Sequence, residues 1–86
     1  MLSSNQLTKN YHQVLQQIDN YRKTHQHSHN ITLIAVSKNQ PLESIQHLYN
    51  LGQKDFGENY LQEAINKINA LNPIAQGITW HYIGRI

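Results

Sequence analysis

The chain has 86 residues, 38% apolar and 14% charged, which is typical of one small globular domain rather than of a disordered segment. Its formal charge is +2 and its Lys and Arg residues are scattered, so it lacks the basic stripe that nucleic-acid binding usually needs. There are no cysteines, which excludes disulfides, thiolate catalysis and zinc–thiolate sites. Neither a signal peptide nor a membrane-spanning apolar run is recognisable, so we expect a cytoplasmic protein without a membrane partner.

The first predicted element is an amphipathic helix over residues 4–23. Ser3 and Gln6 are spaced as in a capping box at its start. Its apolar residues recur at spacings of three and four and form one stripe: Leu7, Tyr11, Val14, Leu15, Ile18 and Tyr21. The polar connector 25–30 follows, with histidines at 25, 27 and 29. We interpret it as a solvated linker rather than a metal site, because no nearby carboxylate or cysteine completes a ligand set.

Residues 31–36 form a β-branched, nearly continuous apolar run, which is typical of a strand buried on both faces in a parallel sheet. The run stops at Ser37, and Pro41 suits the first turn of the helix that follows. Gly52 fits the position just past that helix, where the backbone needs a left-handed conformation.

The second half of the chain repeats this alternation. Residues 54–57 are a weak strand candidate, and Asn59 with Gln62 predicts the cap of a helix that Asn72 and Pro73 end. Residues 78–83 predict a third strand, rich in aromatic and β-branched side chains. Because connections that contain a helix join parallel strands, the sequence predicts an α/β chain with a parallel sheet.

In parallel α/β folds, ligands gather at the carboxyl ends of the strands. This rule selects three stretches, residues 37–39, 57–59 and 84–85. Lys38 is the most informative member, because burial beside an apolar strand would lower its pKa and favour the neutral amine that Schiff-base chemistry requires. A solvated loop lysine is the alternative. Glu58 and Asn59 are equally compatible with a helix start, and His81 with a packed strand histidine.

Three motifs then resemble the pyridoxal-phosphate homeostasis family, also called the YggS/PROSC family. They are LIAVSK at 33–38, FGENY followed by QEA at 56–64, and WHYIGR at 80–85, in the order and at the spacing of that family. The resemblance covers essentially the whole chain and matches the N-terminal part of the family. It departs at Tyr82 and Ile86, where the family carries phenylalanine and leucine.

The resemblance implies the first three strands of a (β/α)8 TIM barrel of the fold-type III, alanine racemase-like kind, with residues 1–86 as one segment of a single domain. It implies that Lys38 holds pyridoxal 5′-phosphate (PLP) as a Schiff base, that Asn59 lies near the cofactor, and that His81 and Arg85 lie at the same barrel mouth. The implied function is intracellular PLP homeostasis, without an assigned turnover.

Length sets a limit on this expectation. A complete barrel takes about 250 residues and binds phosphate with loops after strands seven and eight, so we expect this chain alone to bind PLP weakly or not at all. Three strands also leave an unpaired edge, which is a template for self-association. Two alternatives stay open: a PLP-dependent racemase- or decarboxylase-like enzyme, and a truncated chain with no cofactor function of its own.

Overall fold

The computed structural model describes residues 3–24 and 31–84. Contacts divide the chain into two compact units, Met1–Thr32 and Leu33–Ile86. Helices and strands alternate along the described residues in the order α1 (Ser4–Thr24), β1 (Ala35–Val36), α2 (Leu42–Asn50), β2 (Asp55–Glu58), α3 (Leu61–Leu71) and β3 (Thr79–Tyr82). No helix in the described ranges is both long and apolar enough to cross a bilayer.

Helix α1 begins with the predicted capping box. The Gln6 backbone N–H donates to Ser3 Oγ at 3.2 Å, and the Ser3 backbone N–H donates to Gln6 Oε1 at 3.3 Å. These reciprocal bonds satisfy two donors that would otherwise lack partners at a helix start. The predicted helix is therefore confirmed, one residue longer than expected. The predicted histidine linker, residues 25–30, lies outside the described residues.

The three strands form one sheet in the order β1-β2-β3, and both pairs are parallel. Val36 lies opposite Gly57, and Gly57 lies opposite His81. Each connection contains a helix, as parallel pairing requires. The predicted α/β class with a parallel sheet is confirmed, and the sheet formed by the described residues has three strands.

The first strand is much shorter than predicted, two residues instead of six. The reason lies in the side chain of Gln53, which is 5% exposed. Its Nε2 donates to the Leu33 carbonyl at 2.6 Å and to the Asp55 carbonyl at 2.8 Å. The side-chain amide thus takes the place of a backbone ladder partner at Leu33, so regular pairing begins only at Ala35.

Strand β2 spans Asp55–Glu58 rather than the predicted 54–57, and its later end corrects two site assignments. Gly57 and Glu58 lie inside the strand instead of following it, so only Asn59 comes directly after its end. Because side chains alternate between the faces of a strand, Glu58 points to the same face as Phe56. That face packs against helices, so Glu58 is buried in the protein rather than presented at the sheet edge.

The ends of α2 and α3 are partly as predicted. Pro41 is the residue before α2 rather than its first residue, and Gly52 has the expected positive φ of 113° just past that helix. Helix α3 ends at Leu71 before Pro73, as predicted. The predicted cap by Asn59 is wrong, because Tyr60 occupies that position with an extended backbone (φ −121°) and no side-chain bond.

The core lies between one face of the sheet and the helices α2 and α3. Phe56 is fully buried at its centre, and its ring is tilted against that of Trp80 with centroids 5.9 Å apart. Ile45 from α2 and Leu71 from α3 complete the centre of this cluster. Strand alternation places Gly57 and His81 on the opposite face of the sheet.

Candidate functional site

Lys38 lies in a tight turn directly after β1. The Gln40 backbone N–H donates to the Ser37 carbonyl at 3.0 Å and closes the turn. Lys38 is its second residue, and Asn39, with a φ of 60°, is its third, which is the arrangement of a type II turn. Asparagine tolerates this left-handed conformation better than most residues. The turn therefore places Lys38 at the carboxyl end of β1.

The Lys38 side chain is exposed. The prediction from sequence was that burial beside the strand would favour its neutral amine, and the described residues do not supply that burial. Val36, two residues earlier, is itself 53% exposed, so the strand end is open on this side.

Asn59 lies at the same level of the sheet edge as Lys38. Val36 and Gly57 are opposite one another in the register. Lys38 follows Val36 by two positions, and Asn59 follows Gly57 by two positions. Asn59 Oδ1 is buried and has no hydrogen-bond partner among the described residues. Buried acceptors almost always have a donor. Among the described residues, Asn59 Oδ1 is consequently the acceptor at this edge that most clearly still requires a hydrogen-bond donor.

His81 lies deeper in the sheet than the other two predicted site residues. It is level with Gly57, two positions before Asn59, which corresponds to about 7 Å along a strand. Its Nε2 is 2.9 Å from Asp55 Oδ1, and both side chains are about one-third exposed. The carboxylate therefore orients the imidazole within the sheet. Arg85 lies outside the described residues.

A buried ionic network lies behind the turn. Glu58, 1% exposed, accepts a very short hydrogen bond from the Ser37 hydroxyl. Lys67 Nζ from α3 lies 3.1 Å from Glu58 Oε2 and 3.2 Å from its Oε1. The same ammonium donates to the Ser37 carbonyl at 2.5 Å. Each of the two buried charges thus has a charged partner and a further hydrogen bond, as buried ions require.

Glu63 extends this network to the other side of Lys38. Its Oε2 is 2.9 Å from Lys67 Nζ and accepts a hydrogen bond of 2.7 Å from the Asn39 backbone N–H. These two donors, first the Lys67 ammonium and then the Asn39 amide, hold the pKa of Glu63 below its ordinary value. Glu63 therefore binds the turn as a charged carboxylate.

Sequence reasoning missed this network. The available signal was the position of Lys67, which lies three residues after Ala64 and four before Leu71, both on the buried stripe of α3. A charged residue in an apolar stripe implies a buried ion pair. Within the described ranges, no cluster of three or more histidine and carboxylate side chains could hold a metal ion.

The fold and this edge define a parallel α/β protein with polar groups gathered at the carboxyl ends of its strands. Two solved structures of PipY from Synechococcus elongatus are similar to it. The structure with PLP bound has a TM-score of 0.63 and 39% identity, over 83% of this chain and 32% of PipY. The structure without PLP has a TM-score of 0.61 and 46% identity, over 65% of this chain and 26% of PipY.

Curated relatives from several organisms carry the name pyridoxal phosphate homeostasis protein. The protein from Buchnera aphidicola subsp. Baizongia pistaciae is 41% identical over 93% of this chain, and 34% of that protein is covered. The protein from Escherichia coli K12 is 46% identical over 63% of this chain and 24% of its own length. The resemblance inferred from the three motifs is therefore confirmed.

The match covers only part of the length of each relative. The chain spans about a quarter to a third of the length of the curated proteins that it matches. No family model matches the chain.

Proposed function

We propose that this chain carries the lysine-bearing part of a PLP site and acts in PLP homeostasis, the function for which its relatives are named. The observation that carries the proposal is the exposed Lys38 at the carboxyl edge of the sheet, the same edge that carries Asn59, whose buried Oδ1 has no hydrogen-bond partner among the described residues. In this proposal the Lys38 amine would attach covalently to the aldehyde carbon of the cofactor, and the aldehyde oxygen would leave as water. The PLP-bound structure of the similar protein PipY supports the choice of cofactor.

The residues present fit such a ligand. Asn59 Oδ1 has no donor within residues 3–24 and 31–84, and PLP carries a hydroxyl group that can donate one hydrogen bond. The cofactor, when bound, supplies an aldehyde for reversible attachment to amines. Lys38 provides the amine, and its exposed side chain lets the aldehyde reach it. We assign His81 to the floor of the same site, where Asp55 holds the orientation of its ring.

Three further parts of the proposal rest on the sequence and on the sheet. We propose that β1, β2 and β3 are the first strands of a TIM barrel and that the protein acts in the cytoplasm. We also expect self-association at high concentration, because β1 and β3 each have one neighbour in the described sheet.

The test is selective labelling of the five lysines. The purified chain is mixed with PLP and reduced with borohydride, and the modified residues are located by peptide mass mapping. Lys67 is buried, whereas Lys9, Lys23, Lys38 and Lys54 are exposed. The ratio of labelling at Lys38 to labelling at Lys54 therefore compares two exposed amines in the same compact unit.

A ratio well above one in the wild type, lost when Asn59→Ala removes the unpaired acceptor, is the expected outcome. Lys38→Arg should abolish labelling at that position and leave the other lysines unchanged. Equal labelling of all four exposed lysines would contradict the proposal for this chain.

A further inference from the structure

Both peptide groups that flank Lys38 are held by side chains of α3. The carbonyl of Ser37, in the peptide before Lys38, accepts a hydrogen bond of 2.5 Å from Lys67 Nζ. The backbone N–H of Asn39, in the peptide after Lys38, donates one of 2.7 Å to Glu63 Oε2. Both contacts are made with main-chain atoms, and the Lys38 side chain stays exposed.

The two holding residues also bind one another. Glu63 and Lys67 are four residues apart on α3, and their charged atoms are 2.9 Å apart. Lys67 is anchored from behind by the buried carboxylate of Glu58, which is 3.1 Å away. The pair is therefore attached to the core on one side and to the turn on the other.

We propose that the Glu63–Lys67 pair is a positioning device for Lys38. This inference rests on the proposed function and deepens it. A lysine side chain has four rotatable bonds, so its amine reaches a defined place only if the direction of its Cα–Cβ bond is defined. Fixing the two peptide planes on either side of Lys38 fixes that direction and reduces the entropy lost when the amine meets an aldehyde.

The test compares two variants of Glu63 that have the same charge. Glu63→Gln keeps an oxygen that accepts the Asn39 N–H, and Glu63→Met removes it. Both lose the negative charge, so a difference between them reports the contacts of the side-chain oxygen, with the Asn39 N–H and with Lys67, and not the electrostatic field at Lys38. Glu43→Met is the matched control, because Glu43 is also a glutamate in the first turn of its helix.

Two quantities are measured in each variant. One is hydrogen exchange of the Asn39 amide by NMR, which needs no cofactor. The other is the ratio of PLP labelling at Lys38 to that at Lys54, after borohydride reduction. In Glu63→Met we expect faster exchange and a labelling ratio that falls toward one. In Glu63→Gln, both should stay closer to the wild type, and Glu43→Met should change neither.

Unchanged exchange of the Asn39 amide in Glu63→Met would overturn the inference without reference to PLP. Faster exchange with an unchanged labelling ratio would also overturn it, because the contact would then serve the turn alone. Failure of the proposed function appears differently, as a wild-type ratio near one before any substitution, and it would remove the positioning role as well.

Discussion

Lys67, in the middle of α3, donates a hydrogen bond of 2.5 Å to the carbonyl oxygen of Ser37, the residue before Lys38. The two lysines consequently have opposite environments at one end of the sheet. Lys67 is 8% exposed in its side chain and paired with carboxylates, whereas Lys38 is exposed. The Lys67 amine stabilises the turn, whereas Lys38 lies in the turn and its side chain is exposed.

Replacing Lys67 with methionine should destabilise the chain strongly. The substitution leaves Glu58, 1% exposed, as a buried carboxylate without its ammonium partner. Breaking a buried pair in this way costs about 3–5 kcal/mol. The free energy of unfolding, measured by urea denaturation, should fall by that amount, and a chain of this size has little stability to lose.

The double variant Glu58→Gln with Lys67→Met tests the reason for that loss. It removes both charges, so no unpaired buried ion remains, and it should be more stable than Lys67→Met alone. If the double variant were as unstable as the single one, packing of the lysine stem and not the buried charge would explain the effect.

The contribution of Glu63 to stability should depend on pH in the acid range. Because Lys67 and the Asn39 amide lower the pKa of Glu63 in the folded state, its stabilisation is present above the ordinary value of 4.5. It is lost as the pH falls through the lowered pKa. The difference in unfolding free energy between wild type and Glu63→Gln should therefore shrink below pH 4.5. A constant difference across that range would contradict the assignment.

The positive φ at Asn39 predicts a selective response to substitution. Alanine at this position would carry the steric cost of the left-handed conformation, about 1–2 kcal/mol, whereas glycine adopts it freely. We expect Asn39→Ala to lower the urea midpoint and Asn39→Gly to leave it close to the wild-type value. Both variants keep the backbone N–H that Glu63 binds. Equal losses would indicate a role for the Asn39 side chain instead.

Gly84 should be intolerant of a side chain, since it lies against the loop that carries Asn59. A Cβ added to Gly84 would be 2.8 Å from the Asn59 carbonyl oxygen and 2.7 Å from the Tyr82 hydroxyl. Tyr82 can rotate away, but the Asn59 backbone must move. Gly84→Ala should shift the amide resonances of Asn59 and cost about 1–3 kcal/mol. Asn69→Ala, on the exposed face of α3, is the control and should leave those resonances unchanged.

Local patterns accounted for most of the elements. The Ser3–Gln6 capping box, the Gly52 turn and the stop before Pro73 depend on neighbouring residues in the chain, and each was predicted correctly. The length of β1 and the start of α3 were predicted incorrectly, because each depends on a partner distant in sequence or on competition between adjacent capping residues. The amide of Gln53 limits β1, and Tyr60 takes the cap position predicted for Asn59.

By itself, the sequence determined the alternation of helices and strands, their parallel pairing and the resemblance to PLP homeostasis proteins, and it led to the prediction of Lys38 as the cofactor-binding residue. Only the tertiary structure decided that Lys67 is buried and that it and Glu63 hold both peptides around Lys38. The physical reason is distance along the chain. Capping and periodicity act within a few residues, whereas these contacts span 30 and 24 residues and exist only after the sheet and α3 have packed together.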